Sequence, residues 1–166
     1  TFPKLLLAHA RDRGGSPAIR EKDLGIWQSW TWSQVAEEVR LLAAGLQARG
    51  FARGGHLAVI GDNRPRLYWA VTATQALGGI PVPFYQDAPA PEMVYVFQNA
   101  EIEFAIVEDQ EQADKLFEIL PQCPKLRHIF YDDPRGLRHY ARPELSSYDS
   151  LREAGEAWAK DHPGFL

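Results

Sequence analysis

In this 166-residue chain, acidic residues follow each short apolar run that predicts a strand. Their carboxylates could bind a metal ion or cap a helix. They are Asp62, Asp87, Glu108, Asp109, Asp132 and Asp133. In an open α/β sheet, ligands bind outside the carboxyl ends of the strands, where carboxylates can hold Mg²⁺. Acids after strands also cap the next helix and favour its dipole. Because helix signals follow most of these acids, we expect capping and keep a Mg²⁺ site as the alternative.

Two glycine pairs, Gly54-Gly55 and Gly78-Gly79, could belong to loops that bind phosphate. Neither fits G-x-x-x-x-G-K-[ST] or G-x-G-x-x-G, and both precede predicted strands rather than helices. A loop that enters a strand does not direct a helix N-terminus at phosphate. We therefore predict turns and a helix end at these glycines.

A basic stretch lies near the end of the chain and could hold a phosphate group. Its members are Arg135, Arg138, His139 and Arg142. Acidic residues flank the stretch on both sides, which is typical of a solvated surface loop. An exposed irregular loop is therefore the expectation.

The remaining residues predict neither a metal site nor a reactive thiol. The histidines show no i,i+4 pairing and no partner cysteine, so no zinc site is predicted. They are His9, His56, His128, His139 and His162. The single cysteine, Cys123, lies in a proline-flanked loop without an evident base, and no G-x-S-x-G motif occurs. One cysteine excludes an intrachain disulfide and indicates a reducing, cytoplasmic environment.

Three tryptophans, Trp27, Trp30 and Trp32, are close enough in sequence to form a stacking platform. Since they precede a predicted helix, we expect them instead to pack as core residues and as a hydrophobic staple. Composition and spacing thus assign no catalytic, cofactor-binding or metal-binding residue.

The overall composition is that of a globular domain. Hydrophobic residues make up 45% and charged residues 24%, and 18 basic against 22 acidic side chains give a net charge of -4. This balance argues against a nucleic-acid-coating protein. No apolar run approaches the ~18 residues of a membrane span. The length fits a single domain over residues 1–166, and the start at Thr1 and stop at Leu166 suggest a piece of a longer polypeptide.

Regular alternation of strands and helices predicts a parallel sheet of about four strands with helices on its faces. The predicted strands, which begin 23 or 24 residues apart, are Leu57–Ile60, Ile80–Phe84, Phe104–Val107 and His128–Tyr131. Such Rossmann-like βαβ units place the class as α/β. Pro81 and Pro83 both remove donors from one side of their strand, which we therefore place at an edge or with the prolines outside the ladder.

A helix and a hairpin are predicted before this sheet. The helix runs from Phe2 to Gly14-Gly15, and the hairpin pairs Ala18–Glu21 with Ile26–Thr31. Thr31 and Gln34 then fit a capping box that begins a helix ending at Gly50.

The end of the chain gives weaker signals. Residues 132–166 are expected to form a weakly ordered tail, irregular over Leu137–Ser147, and Ser146 or Ser147 is expected to cap a last helix.

Three stretches resemble the N-terminal part of the AMP-forming acyl-CoA synthetases. Trp30–Val35 resembles the family's aromatic-Thr-aromatic-x-Glu-Leu motif, with Gln and Val at its end. Gly54–Ile60 resembles the G-D-x-V-A strand, with His56 for Asp, and Ala76–Pro83 resembles K-A-G-x-x-x-V-P without the Lys. Shorter stretches resemble the long-chain fatty-acid branch. They are Asp62–Pro65, Phe84–Asp87 and Tyr131–Gly136.

The resemblance implies a parent enzyme that joins a fatty acid to CoA through an acyl-adenylate, using ATP and Mg²⁺. The family's Ser/Thr/Gly-rich phosphate loop ending in Pro-Lys-Gly, its Thr-Glu motif, its ribose-binding Asp and its C-terminal Lys do not occur in this sequence. The chain is therefore expected to be an incomplete part of the large N-terminal domain, inactive alone. Its partner would be the rest of its own polypeptide, and the parent would be cytoplasmic, with peripheral attachment to the inner membrane face as an option.

A second hypothesis is a self-contained α/β regulatory domain, similar to a Mg²⁺-binding receiver, that uses the acidic strand ends. It accounts equally well for the alternation of strands and helices. It does not account for the additional N-terminal helix and hairpin.

Overall fold

Six α-helices and seven strands make up the computed structural model, which describes residues 1–166. The helices are α1 (Phe2–Arg13), α2 (Trp32–Ala48), α3 (Pro65–Ala76), α4 (Ala90–Asn99), α5 (Gln110–Ile119) and α6 (Tyr148–Asp161). The strands are β1 (Pro17–Asp23), β2 (Ile26–Thr31), β3 (His56–Ile60), β4 (Ile80–Phe84), β5 (Phe104–Val107), β6 (His128–Tyr131) and β7 (Leu145–Ser147). A single 3-10 turn, Leu120–Gln122, follows α5.

The main sheet is parallel throughout, as predicted, with strand order β4-β3-β5-β6-β7. β1 and β2 form a separate antiparallel hairpin, closed by Leu24 and Gly25 at φ 46° and 83°. Positive φ at both positions is the geometry of a tight type I′ turn. The α/β class and the N-terminal helix and hairpin are confirmed.

The sheet has five strands rather than about four, because the sequence prediction missed β7. The segment Leu137–Ser147 was expected to be irregular, and that expectation is wrong for its last three residues. Leu145 and Ser147 pair with Ile129 and Tyr131 of β6. A three-residue strand with one large apolar side chain shows no alternation that could reveal it.

The predicted last helix is confirmed as α6, and Ser147 is its cap. The Ser147 hydroxyl accepts a hydrogen bond from the Ser150 backbone N–H at 3.1 Å. α6 crosses α2, so part of the segment expected to be a weakly ordered tail packs on the body of the domain.

Both ends of α2 form as predicted. Thr31 Oγ1 accepts from the Gln34 N–H at 3.3 Å, and Gln34 Oε1 accepts from the Thr31 N–H at 2.8 Å. At the other end, Gly50 adopts φ 87°, and the Phe51 N–H donates to the Leu46 carbonyl at 2.9 Å. These contacts satisfy backbone groups that the helix itself leaves without partners.

Apolar side chains fill both faces of the sheet. One cluster joins β3, β5 and β6 to α1, α2, α3 and α6, with Leu42, Leu57 and Tyr148 among its fully buried members. The other lies under α4 and α5 and includes Phe97 and Ile129. The sheet is thereby sandwiched between helix layers, and its carboxyl edge is held in place from both sides.

Candidate functional site: the carboxyl edge of the parallel sheet

The strand order reverses between β3 and β5, so the usual ligand crevice of an open α/β sheet lies at their carboxyl ends. Here an ion pair of the chain itself lies in that crevice. The Glu108 carboxylate accepts a hydrogen bond from the Asp62 N–H, and it accepts another from Arg64 Nε at 2.9 Å. The position where a receiver-like domain would bind a ligand therefore holds an internal ion pair.

Gly61 allows this close approach of Glu108. Its φ is 151°, and a Cβ atom there would lie 2.5 Å from the Glu108 Cβ and 2.8 Å from the Leu67 Cδ1. The absence of a side chain at Gly61 therefore leaves room for the Glu108 side chain.

Arg64 also reaches the hairpin. Its guanidinium lies 3.0 Å from Glu21 Oε1 of β1, in addition to its contact with Glu108. The hydrogen bonds that Arg64 donates to the Glu108 and Glu21 carboxylates raise the pKa of Arg64 above its ordinary value. Arg64 thus ties the separate β1-β2 hairpin to the carboxyl edge of the main sheet.

Arg66 makes a second bridge at the same edge. Its guanidinium lies 2.9 Å from both Asp132, after β6, and Asp149, in the first turn of α6. It also lies 4.8 Å from the ring centre of the buried Tyr148. Burial raises the pKa of Asp132 although Arg66 acts in the opposite direction. Arg66 therefore holds the start of α6 against the sheet.

Capping, the role expected for the strand-end acids, is confirmed for Asp109 alone. Its Oδ1 accepts from the Gln112 N–H at the start of α5, at 3.2 Å. Asp62 instead accepts from the next residue, Asn63, and Asp133 accepts from the Arg135 N–H at 2.9 Å and side chain at 2.7 Å. The expectation is wrong for Asp62 and Asp87, because α3 begins at Pro65 with Arg64 as its cap residue and α4 begins after Pro89. It is also wrong for Glu108, Asp132 and Asp133, whose carboxylates pair with arginines.

These charges line a polar groove of about 260 Å³. Three arginines and five acids border it, together with Trp30 and Trp69: Glu21, Asp23, Arg64, Arg66, Glu108, Asp132, Asp133 and Arg135. Hydrogen bonding to Arg135 lowers the pKa of Asp133. No three His, Cys, Asp or Glu side chains are grouped so that they could hold a metal ion. A Mg²⁺ ion would have to displace arginines from the acids they pair with, which disfavours the receiver-like alternative.

A larger cavity, about 580 Å³, lies between α3 and the ends of β3 and β4. Its walls are mainly apolar, with Leu67, Val71 and Phe84 among them, and Asn63, Gln86 and Asp87 lie at polar positions. The Tyr68 hydroxyl donates to Asn63 Oδ1 at 2.9 Å. Sequence reasoning missed this cavity because its lining comes from three separate segments and half of it is ordinary apolar residues.

The two glycine pairs form turns, as predicted. They lie together at the amino ends of β3 and β4, opposite the carboxyl ends of these strands. Gly54 and Gly78 have φ values of 81° and 72°, and the Gly54 N–H donates to the Gly78 carbonyl at 3.0 Å. The Gly79 N–H donates to the Thr74 carbonyl at 2.9 Å, which ends α3. Their backbone groups thus bond to the chain itself.

Three of the five histidines pack against aromatic rings, and Cys123 is buried. His9 lies 4.6 Å from Trp32, and His162 stacks on Trp158 at 3.7 Å between ring centres. His128 lies 4.6 Å from Phe104. Cys123 is buried, and burial raises the pKa of its thiol, which opposes formation of a reactive thiolate.

The structure does not gather the basic stretch into one site. Arg135 pairs with Asp133, whereas Arg142 lies 5.0 Å above the Phe117 ring. Arg138 and His139 are exposed. The structure therefore confirms the expected exposed loop at these residues.

The tryptophan prediction is right for two residues and wrong for the third. Trp30 meets Trp69 edge-on at 5.6 Å, and Trp32 packs partly buried on the core. Trp27 is 65% exposed. Side chains alternate across a strand, so Trp27 and Trp30, three positions apart, face opposite sides of the hairpin, and only one side is covered.

Comparison with known proteins shows the family. The family model described as "AMP-binding enzyme" matches residues 6–164, and the chain belongs to this family. It is 27% identical over 157 residues to the long-chain-fatty-acid–CoA ligase ACSBG2 of Xenopus laevis, covering 94% of this chain and 21% of the relative. It is 25% identical over 153 residues to the long-chain-fatty-acid–CoA ligase FadD15 of Mycobacterium tuberculosis, covering 91% and 24%.

Solved structures agree on the fold. Acetoacetyl-CoA synthetase from Streptomyces lividans superposes with a TM-score of 0.79 at 23% identity, covering 91% of this chain and 24% of that one. The anthranilate–CoA ligase AuaEII, solved with anthranoyl-AMP, gives 0.79 at 21% identity, covering 91% and 27%. The fold is that of the N-terminal domain of adenylate-forming ligases. The chain spans about a fifth to a quarter of the length of these relatives, and no helix in it has the length and apolarity needed to cross a membrane.

Proposed function

We propose that this chain is the N-terminal scaffold of a long-chain fatty-acid–CoA ligase that works through an acyl-adenylate. The observation that carries the proposal is the family match over residues 6–164, together with relatives that are long-chain-fatty-acid–CoA ligases. The parent would join a fatty acid to CoA with ATP and Mg²⁺, releasing AMP and pyrophosphate.

The residues of this chain do not supply an ATP site of their own. Binding a triphosphate needs backbone donors around the phosphates, a cation and a metal held by free carboxylates. At the carboxyl edge, the Glu108 and Asp132 carboxylates are paired with Arg64 and Arg66, and Asp109 already occupies the N-terminus of α5. We therefore assign no catalytic step to this chain, and we expect the phosphate loop ending in Pro-Lys-Gly within a few dozen residues after Leu166 in the parent.

The role proposed for this chain is structural. Arg64 and Arg66 join the hairpin, α6 and the main sheet into one body. A rigid body of this kind can position groups supplied by other parts of a ligase, since catalytic geometry tolerates little looseness.

Exchange of labelled pyrophosphate into ATP, dependent on a fatty acid, tests the proposal on the full-length parent. A series of saturated fatty acids of increasing chain length would define the substrate class. We expect exchange to be strongest with long-chain acids. Absence of exchange with every fatty acid would remove the ligase assignment.

A further inference from the structure

The turn of the β1-β2 hairpin carries a leucine where the backbone disfavours one. Leu24 has a φ of 46°, in the left-handed region that glycine and asparagine occupy most readily, and its side chain is 94% exposed. A side chain so exposed gains almost no packing energy to offset the cost of this conformation. A strained apolar residue without a packing role in the fold indicates a role in binding.

Two more apolar side chains lie beside this turn, on opposite sides of the ribbon. Ile26 is 66% exposed and Trp27 is 65% exposed, and adjacent residues of a strand point to opposite sides. We call Leu24, Ile26 and Trp27 the hairpin tip. The tip is therefore apolar at its end and on both sides. A flat protein surface would cover only one of these sides, whereas the interface of a bilayer surrounds an inserted tip completely.

The charged residues of the hairpin are separated by side. Glu21 and Asp23 line the polar groove at the carboxyl edge, and the Glu21 carboxylate pairs with an arginine there at 3.0 Å. Arg20 and Lys22 lie on the other side and are exposed, and Lys22 stands directly across the ladder from Trp27. The side of the ribbon that carries Trp27 thus bears two cations and no acid.

We propose that the hairpin tip inserts into the surface of a bilayer that contains anionic phospholipids, with Arg20 and Lys22 against the headgroups. Tryptophan is favoured at the interface between membrane and water, and basic residues beside an inserted apolar segment are attracted to anionic lipids. Three apolar side chains and two cations give a weak, reversible attachment. This inference goes beyond the proposed function and does not depend on ligase activity.

Co-sedimentation with vesicles of two compositions tests the inference on both this chain and its full-length parent. Vesicles of phosphatidylcholine alone are compared with vesicles of phosphatidylcholine and phosphatidylglycerol in equal parts. We expect both proteins to bind the anionic vesicles about ten-fold more tightly, because two cations lie near the charged surface. Added salt should weaken this binding by screening the charges.

Leu24→Asn separates binding from folding. Asparagine suits the left-handed backbone of this turn better than leucine does, so the melting temperature should stay the same or rise. We expect the affinity for anionic vesicles to fall about ten-fold, because the apolar side chain at the end of the tip is lost. Unchanged affinity in Leu24→Asn would overturn the inference.

A pair of charge reversals tests the part played by the cations. Lys22→Glu should remove most of the preference for anionic vesicles. Lys160→Glu makes the same change at an exposed position of α6 and should leave the preference in place. An equal loss in both variants would mean that overall charge, rather than the hairpin, governs binding.

Three further outcomes would contradict the inference. Equal binding to neutral and anionic vesicles would remove the role of the anionic lipid. Binding by this chain but not by the parent would mean that other residues of the parent cover the tip. Self-association without vesicles that Leu24→Asn abolishes would make the tip a contact between two copies of the chain.

Discussion

Thr31 shows how a single side chain sets the start of an element. Its hydroxyl and the Gln34 side chain satisfy each other's backbone groups at the beginning of α2. We expect Thr31→Ala to lower the free energy of unfolding by about 1 kcal/mol, because the N-cap acceptor is lost. Chemical denaturation measures this, and Thr31→Ser should keep most of the stability. Equal midpoints for Thr31→Ala and the unchanged chain would refute the role of the cap.

Gly61 leaves the space that the Glu108 side chain occupies at the carboxyl edge. Its φ is 151°, and a methyl group added there would lie only 2.5 Å from the Glu108 Cβ, so Gly61→Ala must strain the backbone and displace Glu108. We expect a loss of about 2–4 kcal/mol in the free energy of unfolding, combining strain and overpacking.

Gly15→Ala is the matched control for that change, because nothing lies within 4 Å of its added methyl. It should leave stability unchanged or raise it slightly. Thermal unfolding of both variants decides the matter, and similar melting temperatures would show that the Glu108 contact does not depend on Gly61.

At the scale of elements, α2 and α6 cross at a pair of glycines. A Cβ on Gly155 would lie 1.9 Å from the Leu41 carbonyl oxygen and 2.8 Å from the Gly45 nitrogen. Both neighbours are backbone atoms and cannot move aside by changing rotamer. The two helices can therefore approach this closely only because neither carries a side chain at the crossing.

Gly155→Ala is expected to force the helices apart and to lower the free energy of unfolding by about 3 kcal/mol. Hydrogen exchange of the α6 amides should rise with it. Ala157→Ser adds one atom to an exposed position of the same helix and should change stability by less than about 0.5 kcal/mol. Unaltered α6 protection in Gly155→Ala would contradict the close crossing.

The sequence allowed most elements to be predicted, because their signals are local. Strands such as Phe104–Val107 are short apolar runs between polar segments, and the Thr31 capping box lies within four residues. The sequence did not predict β7, because its pairing with β6 depends on tertiary contacts and only Leu145 in it is strongly apolar.

The candidate site was harder to predict for the same reason. The acids at the strand ends were visible, but their arginine partners come from distant positions, as with Arg66 and Asp149. Spacing along the chain does not reveal such pairs, and capping was therefore the wrong expectation for most of these acids.

For the whole molecule, the carboxyl edge of the sheet holds internal ion pairs where an open α/β sheet usually binds a ligand. Arg64 and Glu108 form an ion pair at the switch point of the sheet. We therefore expect the chemistry of the parent to reside in residues outside this chain.

Side-by-side pyrophosphate exchange with this chain and its full-length parent tests that central claim most directly. Both proteins receive the same fatty acid, ATP and Mg²⁺, and the incorporation of labelled pyrophosphate into ATP is measured. We predict exchange by the parent and none by the chain alone, because its strand-end carboxylates are paired with arginines and it has no phosphate loop. Fatty-acid-dependent exchange by the isolated chain would contradict the account.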